Sequence, residues 1–353
     1  MEFFDSPDQA ALRSATSDFL AQHATSARVR AAMADPDGFD RATWKRLGEE
    51  LGLMSLVVPE QFEGAGATLA EVAVVLEELG RVLLPSPYLS TVLVSLVLAE
   101  AASTAPELAA EFLPGLAAGA VVGAFALTGD VLDSGGLLTG VSRFVLDGAY
   151  ADLFLVRAGQ QLFAVRAADV TVQAVPTLDQ TRGQATITFQ NAPGVALGEL
   201  ADRAEDLMRM GLAVEATGSA REALERTVEY LKTRVQFGKP IGSFQALKHR
   251  CADLAVAVES ARATALAAVG AAMGSAGSGP GDDFSVLAPM AKLHCARVLR
   301  QVSSEMIQLH GGIGFTWEHD THLFFKRAKS TELLYGTPSQ LRTLVGKRAG
   351  LLA

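Results

Sequence analysis

Cysteine is scarce in this chain: 353 residues contain only Cys251 and Cys295. Two thiols so spaced form neither a disulfide framework nor a metal-binding pair, which fits a reducing compartment. Positive charge is also in deficit, with 30 Lys+Arg against 39 Asp+Glu and a formal net charge of −9. That balance disfavours a general nucleic-acid binder, which gains affinity by neutralising phosphates with a basic surface. A local basic pocket for an anionic cofactor stays open. Unbroken apolar runs long enough to span a bilayer are missing as well. The best candidate, Thr91 to Ala99, is short and contains Ser95, and Leu116 to Leu127 is rich in Ala and Gly. No membrane association is therefore expected, although 49% of the residues are hydrophobic. Met1-Glu2-Phe3-Phe4-Asp5 lacks the basic start and apolar core of a signal peptide, so the expected location is cytoplasmic.

What is present is mostly helical pattern, and the length suggests two or three domains. Ser6-Pro7-Asp8 supplies a cap and a proline for a first helix with Ala10, Leu12, Phe19 and Leu20 on its apolar side. Further helices are predicted from about Thr43 to Leu51, from Leu69 to Gly80 and, after Pro85 and Pro87, through Leu98. Between Val121 and Leu200 the period changes. Val121–Leu127, Arg143–Asp147, Leu153–Arg157, Gln161–Val165 and Gln184–Gln190 read as strands of a small antiparallel barrel or sandwich. Helices return over Asp202–Arg234, Ser243–Met273, Asp283–His310 and from about Thr337, with Gly274–Gly281 as a flexible connector. The expected class is α+β, mostly α. Residues 1–118 form an N-terminal helical domain, 119–200 a small antiparallel β domain, and 201–353 a C-terminal four-helix bundle. This order excludes a Rossmann repeat, which alternates strands and helices.

Two stretches carry chemistry. In Arg234-Val-Gln236-Phe237-Gly238-Lys239-Pro240-Ile241-Gly242-Ser243-Phe244-Gln245, a helix ends in basic residues, turns at Gly-Pro and restarts with Ser243 as cap. Such a corner suits an anion beside a flat ring, because Arg forks onto pyrophosphate while Phe covers an aromatic face. An ordinary helix–helix corner with a surface Arg is the plainer alternative. In Gln308-Leu309-His310-Gly311-Gly312-Ile313-Gly314-Phe315 the glycines leave backbone N–H groups available and let a ligand or second chain come close. A simple glycine-rich helix end is the plainer alternative.

In this order and spacing the two stretches resemble the signatures of the acyl-CoA dehydrogenase family. Leu56-Val57-Val58-Pro59-Glu60 with Gly64 and Gly66, then Glu77-Glu78-Leu79-Gly80-Arg81, extend the resemblance into the first helical region, so it spans essentially the whole chain. The resemblance implies the acyl-CoA dehydrogenase fold and an FAD-linked oxidation of an acyl-CoA thioester, in which a carboxylate removes the α proton and the β hydride passes to the flavin. It assigns Arg234, Gln236, Phe237, Ile241, Phe244, Gln245, Gln308, Gly311, Gly312, Thr128 and Gln340 to FAD, and Tyr335 and Gly336 to the substrate. No metal is implied.

The catalytic carboxylate is missing from both places where the family keeps it. The C-terminal motif Tyr-Glu-Gly-Thr is replaced by Leu334-Tyr335-Gly336-Thr337, which puts Tyr335 or Gly336 at the Glu position depending on the register. The alternative, Asp-Leu-Glu-Arg early in a long helix, reads Asp206-Leu207-Met208-Arg209. A thioether takes up no proton, and an unperturbed tyrosine, of pKa about 10, stays protonated at neutral pH. Glu215 is a weak substitute, about 10 Å farther along the helix axis, and a buried structural pairing is expected for it. The family's Thr-Glu-Pro-Gly-Ala-Gly-Ser-Asp run is reduced to Thr128-Gly129-Asp130, and Ser142-Arg143-Phe144-Val145 stands where a Trp-Ile-Thr-Asn-type strand would back the flavin. The half of the site a subunit keeps for itself is eroded, and the half it lends to a neighbour is intact. The resemblance therefore implies the non-basic subunit of a heteromeric enzyme, with an electron-transfer flavoprotein as a possible acceptor. The alternatives are a homo-oligomer with a noncanonical base and a non-catalytic CoA- or flavin-binding scaffold.

Overall fold

The computed structural model describes residues 6–35, 37–274 and 284–352. The proposed connector beyond Gly274, and the predicted helix start at Asp283, lie outside the described residues. In chain order the elements are α1 (Pro7–His23), α2 (Ser26–Ala34), α3 (Arg41–Glu49), α4 (Leu69–Val82), α5 (Tyr88–Glu100) and α6 (Pro106–Ala117). Then come β1 (Gly123–Ala126), β2 (Gly129–Ser134), β3 (Leu137–Leu146), β4 (Leu153–Ala158), β5 (Gln161–Arg166), β6 (Thr171–Val175), β7 (Gln184–Pro193) and β8 (Val195–Gly198). The chain continues with α7 (Ala201–Thr233), β9 (Val235–Gln236), β10 (Lys239–Pro240), α8 (Gln245–Ala272), α9 (Phe284–His310), α10 (Thr321–Leu333) and α11 (Pro338–Arg348).

Local chemistry explains most boundaries. The Ser6 hydroxyl accepts from the Gln9 N–H, and the Gln9 side chain accepts from the Ser6 N–H, a capping box that starts α1 at Pro7. Its buried face is Thr16, Phe19 and Leu20, whereas Ala10 is exposed and Leu12 only half-buried. α3 begins earlier than expected because Asp40 accepts from the Ala42 and Thr43 N–H groups. The hydrogen bonds hold the Asp40 carboxyl below its usual range against the opposing effect of burial. α2 buries only Val29 and Ala32, too sparse a pattern to read from sequence. α10 also lacked a signal, because Asp320 at its N-cap makes no side-chain capping bond; among the described residues it stands in the C-terminal region beside the four expected helices.

Packing gathers the chain into two compact units, Met1–Ser26 with Ala73–Leu84 and Arg209–Ala353, and Ala27–Val72 with Pro85–Met208. The second unit holds two four-stranded sheets, ordered β1-β4-β5-β8 and β2-β3-β7-β6. The sheets are antiparallel as expected, and among the described residues one pairing departs from this: β1 runs parallel to β4, in register from Gly123↔Leu153 to Ala126↔Val156. β2 and β3 intervene in sequence but pair in the other sheet, which lets β4 return beside β1 in the same direction. β2 and β6 went unread because both are largely exposed and show no alternation. α5 packs on β1 and is buried from Tyr88 to Ser95, which accounts for the apolar run that begins at Thr91.

In the first unit α9 packs against α8, α10 and α11. α8 corrects one expectation, since it is long and apolar enough by length and composition to cross a membrane. Alanines raise its hydropathy without forming an unbroken Leu/Val run, and Leu254, Val258, Ala261, Ala265 and Ala268 form a buried stripe. The backbones of α4 and α7 come unusually close at two glycines. A Cβ on Gly80 would lie 2.2 Å from the Glu215 carbonyl oxygen, and one on Gly218 would lie 1.9 Å from that of Glu77. Gly218→Ala must therefore push the helices apart, with an expected cost of about 1–3 kcal/mol. A chemical-denaturation midpoint equal to that of the parent would contradict this packing.

Candidate functional site

The Arg234 stretch is not the helix–turn–helix corner expected from sequence. β9 and β10 form a two-stranded hairpin whose loop residues, Phe237 and Gly238, have φ of 52° and 77°. Positive φ at both positions is the geometry of a tight two-residue hairpin turn, usual for Gly or Asn and strained for Phe. The Ile241 N–H closes the hairpin onto the Arg234 carbonyl at 2.8 Å. Ser243 is not the helix cap, because Ile241–Ser243 forms a 3₁₀ turn and Phe244 occupies the N-cap of α8 without a side-chain bond. The ring of Phe237 is 89% exposed at the hairpin tip and meets Phe244 edge-on at 6.1 Å, with the Lys239 Nζ 4.4 Å above the Phe244 ring. Arg234, Gln236 and Gln245 are exposed beside them, and Ile241 is half-buried.

The Gln308 stretch ends α9 and turns through a 3₁₀ segment, Gly311–Phe315. Gln308 is exposed, Gly311 has φ 63°, and a Cβ on either Gly311 or Gly312 would meet nothing within 4 Å. Space for a close-approaching partner is therefore open there. The two stretches meet inside this unit, since Tyr230, one turn before Arg234, stacks on His310 with ring centroids 4.4 Å apart. The His310 Nδ1 lies 2.7 Å from the Met306 carbonyl, which can only accept, so this nitrogen carries the proton.

At the expected base positions the structure supplies cations and buried apolar groups instead of a carboxylate. Met208 is fully buried in α7. Tyr335, 5% exposed with φ 52°, gives its carbonyl to the buried Arg209 Nε at 3.0 Å, and Gly336 follows at φ 118°. The buried Lys292 Nζ donates to the Gly336 carbonyl at 2.6 Å and to the Glu332 carbonyl at 3.0 Å. Glu215 is bound by the buried Arg327 at 2.7 Å, the structural pairing expected for it.

Comparison with known proteins bears on what this arrangement is. Residues 6–120 match the acyl-CoA dehydrogenase N-terminal domain and residues 199–350 the acyl-CoA dehydrogenase C-terminal domain. The acyl-CoA dehydrogenase IpdE2 of Mycobacterium tuberculosis is 40% identical over 336 residues, covering 94% of this chain and 93% of its own length. This chain belongs to the acyl-CoA dehydrogenase family. IpdE2 of Mycolicibacterium smegmatis is likewise 40% identical, over 96% of this chain and 98% of its own. Among solved structures, the steroid ACAD Tcur3481–Tcur3483 superposes with a TM-score of 0.89 at 29% identity, covering 97% of this chain and 98% of that one. The ChsE4–ChsE5 complex of Mycobacterium tuberculosis reaches a TM-score of 0.90 at 26% identity with complete coverage of both chains. Members of the family are flavin-dependent oxidoreductases.

Two residues assigned to the flavin by resemblance are engaged within the chain. The Thr128 hydroxyl donates to the Arg143 carbonyl, and the Thr128 carbonyl accepts from Ser142 at 2.5 Å. The Gln340 side-chain oxygen accepts from the N–H and hydroxyl of Thr337, completing the capping box of α11. Arg209 and Lys292 were not singled out by sequence, because a basic residue inside a helical pattern usually marks a solvated face. The only available signal was their position within otherwise apolar stretches of α7 and α9.

Burial holds the His310 imidazole below its ordinary 6.5, with the neighbouring His319 acting in the same direction and the Met306 carbonyl opposing. A depressed folded-state value means that the unfolded chain binds the extra proton first. His310 therefore contributes stability above its ordinary value, and that contribution is lost as pH falls below about 6.5. His310→Phe should flatten this part of the stability–pH curve, and an unchanged slope between pH 7 and 5.5 would refute the assignment. Glu215→Ala removes the carboxylate that faces the buried Arg327 and should cost about 3–5 kcal/mol, read as a lower unfolding midpoint.

Proposed function

We propose that this chain is the base-lacking subunit of a heteromeric, FAD-linked acyl-CoA dehydrogenase acting on a bulky acyl-CoA thioester in the cytoplasm. The observation that carries the proposal is an asymmetry. No carboxylate stands at Met208, Tyr335 or Gly336, and Glu215 is committed to Arg327, whereas the hairpin and the glycine turn are open to a partner. Bound FAD would supply the hydride acceptor. Arg234 would fork onto its pyrophosphate, Phe237, Ile241 and Phe244 would cover the adenine end, and Gln236, Gln245, Gln308 and the Gly311–Gly312 backbone would provide polar contacts. These residues fit the anionic, ring-bearing end of a neighbour's flavin. Thr128 and Gln340 are left out of the assignment, because both spend polar atoms inside the chain.

Residues 1–118, 119–200 and 201–353 serve in this reading as the family's helical, β and helical domains. Tyr335 and Gly336 face the thioester, so the chain binds acyl-CoA without turning it over. An electron-transfer flavoprotein-type acceptor takes the electrons from the partner's flavin. Support for unequal subunits comes from the two-component ChsE4–ChsE5 relative, and support for a bulky acyl group from the steroid ACAD relative.

Absorbance tests the proposal. The chain purified alone should be colourless and inactive, and co-expression with its partner should give a yellow complex. Arg234→Ala should then remove at least half of the bound flavin while leaving the unfolding midpoint nearly unchanged, since Arg234 is exposed. Robust acyl-CoA-dependent dye reduction by the isolated chain would overturn the proposal in favour of a homo-oligomer with its own base.

A further inference from the structure

One buried ring joins the hairpin's helix to the glycine turn. His310, the last residue of α9, is 3% exposed and stacks on Tyr230 of α7, with ring centroids 4.4 Å apart and planes 23° apart. His319 meets the same imidazole at 4.6 Å, tilted by 49°. Tyr230 lies one helical turn before Arg234, and Gly311 follows His310 directly. The ring contact is therefore where the two stretches are held together. The turn also folds back on this residue, since a Cβ on Gly314 would lie 2.9 Å from the His310 Cβ. At the start of α10 the Thr321 hydroxyl donates to the Gly314 carbonyl at 2.6 Å.

With Nδ1–H on the Met306 carbonyl, Nε2 holds the lone pair and is the atom that takes up a second proton. The Met306 carbonyl, the negative end of the α9 dipole and the face of the Tyr230 ring each favour the resulting cation. Burial and His319 oppose it, burial most strongly, and the net effect holds the imidazole below its ordinary value. Other charges nearby are engaged with one another. Arg226 of α7 pairs with Glu222 and Asp320, and Arg81 of α4 with Glu222 and Glu225. Arg250 of α8 pairs with Glu305 of α9, Lys232 with Glu229 of α7, and Lys326 of α10 lies over the Trp317 ring. Glu318 and Asp320 flank His319 in the segment before α10. Among these groups it is His319 whose charge acts on His310. A proton on His310 thus puts a charge into a closed stack, beside a second imidazole.

We infer that His310 is a proton-operated latch, which holds the glycine turn against α7 when neutral and releases it, weakening the seat for a neighbour's flavin, when charged. This role rests on the reading of the two stretches as that seat and adds regulation to it. The neutral ring is the binding form, so flavin affinity falls as pH falls through the His310 titration. Bound flavin in turn resists uptake of that proton, because the coupling is reciprocal.

The test titrates FAD into the flavin-depleted complex with the partner subunit at about pH 7.5 and about pH 5.5, read by flavin fluorescence. A group titrating no higher than about 6.5 is at most about tenfold more charged than neutral at about pH 5.5. The parent should therefore bind FAD about three- to tenfold more weakly at the lower pH. His310→Phe keeps a ring in the stack but cannot charge, so its two affinities should agree within about twofold and match the parent's at neutral pH. The same loss at low pH in His310→Phe, or no loss in the parent, overturns the latch and leaves the flavin seat standing. Hydrogen exchange on the unmodified chain gives an answer even if His310→Phe fails to assemble. Corrected for the intrinsic effect of pH, the amides of Gly311–Phe315 should lose protection between the same two pH values. Retained protection overturns the latch as well. FAD affinity indifferent to Arg234→Ala at neutral pH would instead overturn the seat itself, a result independent of the exchange measurement.

Discussion

The close crossing of α4 and α7 is the constraint on which the first compact unit depends. Two glycines, Gly80 and Gly218, allow backbone to meet backbone where any side chain would collide with a carbonyl. Hydroxyls tie the crossing, with Ser219 donating to the Gly80 carbonyl at 2.8 Å. Helices packed this closely bury whatever flanks the contact, and Glu77 is among the residues caught there. Its charge is met by Arg13 from α1 and Arg262 from α8, each at 2.8 Å. One carboxylate thus gathers α1 and α8 around the α4–α7 crossing, and Arg81, one turn on, pairs with Glu222 and Glu225 of α7. A buried ion network of this kind adds little net stability over an apolar core, but it penalises any register that leaves a charge unpaired.

The same economy governs the region where the family places its base. Arg209 lies on α7 and Lys292 on α9, so the loop after α10 is fixed by two helices whose own positions the crossing and the α8–α9 packing determine. Arg327 on α10 binds Glu215 on α7 and ties the middle of the helix before that loop to the same scaffold. Carboxylates in this neighbourhood are consumed as structural partners, while carbonyl oxygens receive the cations. Such a site can orient a polar ligand, and Glu215, the carboxylate weighed as a base, is held by Arg327.

Much of the fold was legible in sequence wherever one local rule decided it. Ser6 and Gln9 began α1, Thr337 and Gln340 began α11, and the periodic valines and leucines marked α4. Legibility failed where burial was shallow or came from afar. β2 and β6 have too few buried residues for alternation to show, α2 buries only two residues, and α10 has no side-chain cap. The Arg234 corner misled for another reason. Gly-Lys-Pro reads as a turn between helices, whereas the unusual φ of Phe237 makes it a hairpin, and nothing in the residue itself signals that conformation.

Sequence by itself determined which residues stand at the positions where the resemblance expects a base. The absence of a carboxylate at Met208 and in Tyr335-Gly336 is a matter of identity at a fixed offset from a motif and needs no coordinates. It determined also the order of helical and strand-rich segments, because hydrophobic period is a local property. Only the tertiary structure decided what the remaining charges do. Glu215 meets Arg327 across 112 positions and Arg209 meets the Tyr335 carbonyl across 126, so the partner of each is set by helix packing. A basic residue in a helical pattern has the same sequence whether it faces water or a buried carbonyl, and the energy that separates the two cases arises only when the helices come together.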